Sequence, residues 1–284
     1  MELTEYTISK EFAIPAGFSS SGIQAKYYKD GFWYKKNRDG YEGLAEQICS
    51  DVLGFTNIQD YVPYEACRIN GVPGCRSRNF LNPDTETFTS FETAYRYAYG
   101  RELSDRLYTL QNPEDRIKFT IDFIKDYSGL DCTEYLRTLL SFDMLVLNID
   151  RHFHNMGLIK SDDGYRFAPI FDNGAALLSN MGIFHPDETI ENNIELAVGK
   201  PFCGSFERQA MVLGTNIEID YVGLDAYVEQ IPHVRARETL RLQVERYRKF
   251  FPERKLTLDR PENLKNTGKE PVEKKRHKKK THCR

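Results

Sequence analysis

The chain lacks the features that mark secreted, zinc-binding and membrane-spanning proteins. Its six cysteines are scattered, and none forms a C-x-x-C pair or lies among histidines at zinc-ligand spacing. The first 15 residues contain several charges and no apolar core of a signal peptide. No apolar run approaches the roughly 20 residues that a membrane-spanning helix needs. These absences predict a cytoplasmic protein with no membrane span and with buried free thiols, and they leave export by a non-classical route open.

Charge is distributed unevenly along the 284 residues. The formal net charge is −3, but residues 265–284 carry nine Lys or Arg and two Glu, so that segment has +7 and residues 1–264 have −10. An acidic globule with a basic end is unlike a protein whose whole surface binds nucleic acid. Residues 261–284 contain very few apolar side chains, so we predict a disordered basic tail that can contact nucleic acid or acidic surfaces.

The segment that carries most information reads NIDRHFHN at residues 148–155 and is followed by IFDNG at residues 170–174. Asp150 and Asn155 are five residues apart, which is the separation of the base Asp and the metal-binding Asn in kinase catalytic loops. Asp172 stands where a second metal-binding Asp would follow. Residues 156–160 and 165–171 are predicted strands around a Ser-Asp-Asp-Gly turn, which brings the three side chains to one end of a hairpin.

The N-terminal part predicts a loop, a strand, a tight turn and a second strand. Residues 16–22 are a small-residue loop, and strands are predicted at residues 23–28 and 31–35. In that order the loop can cover phosphate groups, with Ser19, Ser20, Ser21 and Gly22 as candidate contacts. Lys35, at the end of the second strand, is the candidate lysine for the α- and β-phosphates. Two rivals are Lys26 on the first strand and Lys36, which alternation places on the opposite face from Lys35.

Residues 40–54 have the apolar periodicity of a helix with a glycine at its end. Glu42 and Glu46 lie one turn apart on one side of this helix. Either of them could pair with Lys35 and hold it over the phosphates, and the sequence leaves that choice open.

An Asn-Gly turn near residue 70 predicts a further hairpin, with strands at residues 61–69 and 74–81. The second strand leads out of the sheet, where the backbone of a two-lobed kinase contacts adenine. We expect this hinge at Ser77, Arg78, Asn79 and Phe80.

Helical periodicity then dominates. Predicted helices cover residues 88–99, 113–127, 132–147, 207–213, 224–231 and 234–250. The predicted fold class is α+β, with a two-lobed, protein-kinase-like arrangement. Residues 1–80 would form a small β-rich lobe, residues 81–260 a larger helical lobe with the catalytic loop, and residues 261–284 the tail.

The DRHFHN loop and the following IFDNG resemble the catalytic and metal-binding segments of HipA-like bacterial Ser/Thr protein kinases, and the resemblance covers about residues 18–250. It implies ATP and Mg²⁺ as cofactors, Asp150 as the base, and Asn155 and Asp172 as metal ligands. It also implies a protein substrate and autophosphorylation, with Ser19 matching the modified serine of the family by its spacing to Gly22.

Two departures and two alternatives accompany this resemblance. Long family members carry an N-terminal subdomain before the phosphate-covering loop of residues 16–22, which we call the flap. That subdomain is not expected here, and the basic tail is not a family feature. Phosphatidylinositol-type lipid kinases have a similar D-R-H-x-x-N loop, so a lipid or small-molecule kinase is one alternative. A non-catalytic kinase-like binding module is the other.

Overall fold

The computed structural model describes residues 3–15 and 24–254. Predictions about Ser19, Ser20, Ser21, Gly22 and the basic tail therefore lie outside the described residues. The strands are β1 (Glu5–Tyr6), β2 (Lys26–Lys29), β3 (Phe32–Lys36), β4 (Tyr64–Ile69), β5 (Val72–Arg78), β6 (Thr87–Ser90), β7 (Gly157–Ser161) and β8 (Gly164–Phe167). The helices are α1 (Glu42–Gly54), α2 (Phe91–Tyr99), α3 (Leu103–Tyr108), α4 (Pro113–Ser128), α5 (Thr133–Val146), α6 (Ile190–Leu196), α7 (Phe206–Leu213), α8 (Tyr221–Gln230) and α9 (Val234–Tyr247).

A five-stranded sheet in the order β1-β4-β5-β3-β2 forms the N-terminal part. Both predicted hairpins in it are confirmed, and their turns show why. Asp30 and Gly31 both have positive φ, as do Asn70 and Gly71, and two-residue hairpin turns of this kind match the twist of the flanking strands. In the first hairpin, Lys26 pairs directly with Lys35, so both side chains are on one face of the sheet.

Helix α1 packs against β4 and β5 through a close backbone contact. A Cβ added at Gly43 would lie 2.2 Å from the carbonyl carbon of Gly74, so the absence of a side chain permits this approach. Ala45, Cys49 and Leu53 of the helix are completely buried. The sequence periodicity of α1 therefore identified the face that contacts the sheet.

The helical part surrounds α5, whose residues from Leu139 to Val146 are all buried. Helices α7 and α9 pack against it, and a second sheet in the order β6-β7-β8 lies beside the helices. All described residues belong to one compact unit that ends at Arg254, so a domain boundary at residue 80 stays a prediction. Within residues 3–15 and 24–254, no helix is both long enough and apolar enough to cross a bilayer.

Several predicted boundaries were wrong, and two of them have a clear physical cause. Residues 87–90 form β6 instead of the start of a helix, and α2 begins only at Phe91, because the Ser90 hydroxyl caps it by accepting from the Thr93 amide. The strand predicted to continue to Phe171 ends at Phe167, two residues before Pro169, which has no N–H for a strand ladder. The short helices α3 and α6 were not predicted.

Candidate functional site

Lys35 is the centre of the site. Its ammonium donates to Glu46 Oε1 at 2.9 Å and to Asp172 Oδ1 at 2.7 Å. Three elements thus meet here: β3 supplies the lysine, α1 the glutamate, and the segment after β8 the aspartate. Burial alone would lower the pKa of Lys35, but the carboxylates of Asp172 and Glu46 raise it well above its usual value. Lys35 is therefore held as a fixed, charged ammonium.

The structure distinguishes the two glutamates of α1. Glu46 is 2% exposed and also accepts from the Asn173 amide through Oε2 at 2.7 Å, so it links Lys35 to the segment that carries Asp172. Glu42 instead accepts from the Asp39 backbone N–H at 2.6 Å, in the segment that precedes α1. Glu46 is the partner of Lys35, and Glu42 binds the backbone of the segment before α1 at the edge of the site.

The two rival lysines have different surroundings. Lys26, opposite Lys35 in the hairpin, is 7% exposed and faces the same site. Its pKa is lowered by burial, although the charge of Asp172 partly offsets that effect. Lys36 lies on the other face of the sheet, with its ammonium 5.5 Å from the ring centre of Tyr27. Lys26 therefore adds a second cation to the site, whereas Lys36 does not contribute.

Arg151 fixes the loop that contains Asp150. The guanidinium is completely buried and donates to both carboxylate oxygens of Asp143 at 2.9 Å. It also donates to the Phe171 carbonyl at 2.8 Å and to Asn173 Oδ1 at 2.6 Å. The predicted loop-anchoring role of Arg151 is confirmed: one side chain ties α5 and the segment around Asp172 to the DRHFHN loop.

Asp150, Asn155 and Asp172 line one polar cavity together with Lys26 and Glu46. The structure therefore brings these three side chains together, as their spacing predicts. Asp172 has a left-handed backbone, φ 61°, a conformation that Asp tolerates better than most residues. Burial opposes the charge of Asp172, but the ammonium groups of Lys35 and Lys26 outweigh burial and lower its pKa.

The polar cavity has groups that fit a magnesium ion bound together with phosphates. The Asn155 Oδ1 atom is buried and has no hydrogen-bond partner among the described residues, while its Nδ2 lies 3.4 Å from the Asp150 carbonyl. Among residues 3–15 and 24–254, no three His, Cys, Asp or Glu side chains form a cluster that could hold a metal ion by themselves. The Asp172 carboxylate and the Asn155 amide oxygen fit Mg²⁺, which commonly takes one or two protein carboxylates and completes its shell with water and phosphate oxygens.

A second, more apolar cavity adjoins the polar one and shares Lys26 and Asp172 with it. We call it the aromatic cavity, because Phe80, Phe88 and Phe171 line it with ring centroids 5.3–6.0 Å apart. Its volume is about 260 Å³. An apolar, aromatic-lined cavity suits a flat heterocycle, and the polar cavity next to it suits charged groups.

The predicted hinge residues border the aromatic cavity. Ser77 and Arg78 are the last residues of β5, and Asn79 and Phe80 follow the strand. The Asn79 backbone N–H donates to the Gly31 carbonyl at 2.8 Å, and the Asn79 side-chain Oδ1 accepts from the Trp33 indole N–H at 3.3 Å. Asn79 therefore fixes the direction in which the chain leaves the sheet, and Phe80 contributes a wall of the cavity.

Sequence reasoning missed Lys200, whose ammonium lies 2.9 Å from Asp150 Oδ1. It also missed the part that Phe88 and Phe171 have in the aromatic cavity. No local signal identifies these residues, because Lys200 is 50 positions from Asp150 and Phe88 lies in a segment whose pattern predicted a helix.

No family model and no curated protein matches the chain. Among solved structures, it is similar to the Helicobacter pylori proinflammatory kinase CtkA, with a TM-score of 0.58 and 11% identity, over 88% of this chain and 95% of that one. The chain has a kinase-like fold. The two-lobed, protein-kinase-like fold class predicted from the sequence is thereby confirmed.

A second match is the HipA of Shewanella oneidensis MR-1, from a toxin–antitoxin complex with HipB and operator DNA. It has 14% identity and a TM-score of 0.36, and the alignment covers 82% of this chain but 57% of the HipA chain.

Proposed function

We propose that the chain is an ATP- and Mg²⁺-dependent protein Ser/Thr kinase. One observation carries this proposal: buried Lys35 bonds Glu46 and Asp172 at the junction of the aromatic and polar cavities, and the polar cavity also contains Asp150 and Asn155. Phosphoryl transfer depends mainly on positioning and charge neutralisation, which this set of groups can supply.

The two cavities suggest how the nucleotide lies. Adenine would occupy the aromatic cavity against Phe80 and Phe171, beside the backbone that follows β5. Lys35 would hold the α- and β-phosphates, and Lys26 would add positive charge from the same face. Asn155 and Asp172 would hold Mg²⁺, which when bound neutralises charge on the phosphate oxygens.

Asp150 would act on the acceptor. The hydroxyl oxygen of a Ser or Thr forms a bond to the γ-phosphorus while the bond from that phosphorus to the ADP oxygen breaks. The hydroxyl proton passes to Asp150, whose side chain is half exposed and thus accessible to a second substrate. Burial lowers the pKa of His152, which favours its neutral form.

The remaining predictions concern residues outside the described part. Ser19 is the proposed autophosphorylation site, and a phosphate there would place about −1.5 to −2 charge near the nucleotide phosphates and weaken ATP binding. Ser20, Ser21 and Gly22 would complete the phosphate flap. The basic tail would add electrostatic attachment to acidic partners or nucleic acid without affecting the chemical step.

A transfer assay with γ-labelled ATP and Mg²⁺ tests the proposal. We expect label in a generic protein acceptor or in the chain itself, and none in phosphatidylinositol vesicles. Asp150→Ala should remove transfer and keep the thermal shift caused by Mg-ATP, whereas Asp172→Ala should weaken that shift as well. Label in lipid would favour a lipid kinase, and binding of Mg-ATP without any transfer would favour a non-catalytic module.

A further inference from the structure

Asp150 is paired with a cation that comes from a distant segment. Lys200 lies between α6 and α7, and its ammonium donates to Asp150 Oδ1 at 2.9 Å. Both side chains are about half exposed, at 52% and 50%. Ion pairs so exposed to water contribute little to folding stability, so stability alone does not account for this contact.

The backbone of Lys200 is held by buried groups. Its carbonyl accepts from Gln209 Nε2 at 2.7 Å, and Gln209 is a completely buried residue of α7. Through Oε1 the same amide accepts from the Phe202 backbone N–H at 3.2 Å. The Phe202 ring is buried 5.5 Å from that of Phe153, within the DRHFHN loop. The protein thus fixes the distance between the Lys200 backbone and the loop that carries Asp150.

The two oxygens of Asp150 have different surroundings. Oδ1 accepts from the Lys200 ammonium at 2.9 Å, whereas Oδ2 lies 3.8 Å from His152 Nε2, beyond hydrogen-bond distance. A carboxylate on a half-exposed side chain can rotate about its terminal bond. The ion pair of Oδ1 with the Lys200 ammonium restricts that rotation and leaves Oδ2 for another hydrogen bond.

We propose that Lys200 is a positioning residue for Asp150. This inference rests on the proposed kinase function. By binding Oδ1, Lys200 holds the carboxylate so that Oδ2 receives the acceptor hydroxyl in the orientation that in-line transfer requires. The lysine that orients the base thus comes from the segment between α6 and α7, and not from the DRHFHN loop itself.

The experiment compares Lys200→Ala, Lys200→Arg and a control with the unmodified chain. Lys118→Ala is the matched control, because Lys118 forms an exposed ion pair with Asp122 at 2.6 Å and lines neither the polar nor the aromatic cavity. The measurements are kcat, the KM for ATP, the thermal midpoint, and the shift of that midpoint with Mg-ATP.

We expect Lys200→Ala to lower kcat roughly 10- to 100-fold, as loss of orientation does, and to change the KM for ATP by less than about twofold. Its midpoint and its Mg-ATP shift should match those of Lys118→Ala, and Lys200→Arg should restore part of the rate. A role in folding alone would instead change the midpoint and leave kcat of the folded fraction intact.

Three results would overturn the proposal. A Lys200→Ala variant as active as Lys118→Ala would show that the ion pair does not position the base. A Lys200→Ala variant whose thermal midpoint no longer shifts with Mg-ATP would show that Lys200 acts on the nucleotide and not through Asp150. If the unmodified chain binds Mg-ATP but transfers no phosphate, the proposed function itself is refuted, and the role of Lys200 is refuted with it.

Discussion

The buried pair of Arg151 and Asp143 gives the sharpest prediction about stability. Replacing Arg151 by Met leaves the Asp143 carboxylate without its cation in a fully buried position, and leaves the Phe171 carbonyl and the Asn173 amide oxygen without their donor. Burial already raises the pKa of Asp143, with Arg151 opposing that shift, so removal of the arginine raises the pKa further.

Removal of one partner from a buried ion pair costs about 3–5 kcal/mol of unfolding free energy. An exposed pair such as Lys118–Asp122 contributes about 0–1 kcal/mol, so Lys118→Ala serves as the reference. Urea unfolding, monitored by far-UV circular dichroism and extrapolated to water, should therefore separate Arg151→Met clearly from the reference.

A second variant tests the cause. Asp143→Leu combined with Arg151→Met removes both buried charges, so we expect it to recover part of the loss that Arg151→Met alone produces. The carbonyl and amide groups that Arg151 satisfies would still lack their donor, which limits the recovery. The reasoning is refuted if Arg151→Met unfolds within about 1 kcal/mol of the unmodified chain.

Two further predictions follow from the site and from the core. Glu46→Gln should lower the rate of transfer roughly tenfold or more, because Lys35 loses one of its two carboxylate partners and keeps only Asp172. Glu42→Gln keeps an acceptor oxygen for the Asp39 backbone N–H and should have a much smaller effect in the same labelled-ATP assay, so equal losses would contradict the assignment of Glu46. Burial raises the pKa values of four thiols: Cys49, Cys67, Cys75 and Cys132. Iodoacetamide at pH 7 should therefore modify the partly exposed Cys203 of the native chain before these four, with the modified sites mapped by mass spectrometry. Rapid labelling of any of the four would contradict the packing.

Local patterns predicted much of the fold. Asp30-Gly31 and Asn70-Gly71 determine two hairpin turns by their backbone preferences, and the apolar periodicity of residues 44–53 identifies the buried face of α1. Alternation along β3 placed Lys35 on one face and Lys36 on the other. Such features depend on neighbours within a few residues, so the sequence expresses them directly.

The grouping of Asp150, Asn155 and Asp172 was also predictable from the sequence, because their spacing is short. Asp150 and Asn155 share one loop, and Asp172 follows a single hairpin, so chain connectivity alone brings them to one end. The Ser19 flap and the basic tail stay predictions, since they lie outside residues 3–15 and 24–254.

Only the tertiary structure decided whether Glu42 or Glu46 pairs with Lys35. Glu42 and Glu46 lie on the same side of α1. The close contact of Gly43 with Gly74 lets α1 lie near the sheet, and in that position Glu46 reaches Lys35. The contact of Lys200 with Asp150 likewise depends on how α7 packs, through Gln209, against the helical part. These contacts join segments distant in sequence, and their geometry comes from the packing of many side chains at once, which no local pattern records.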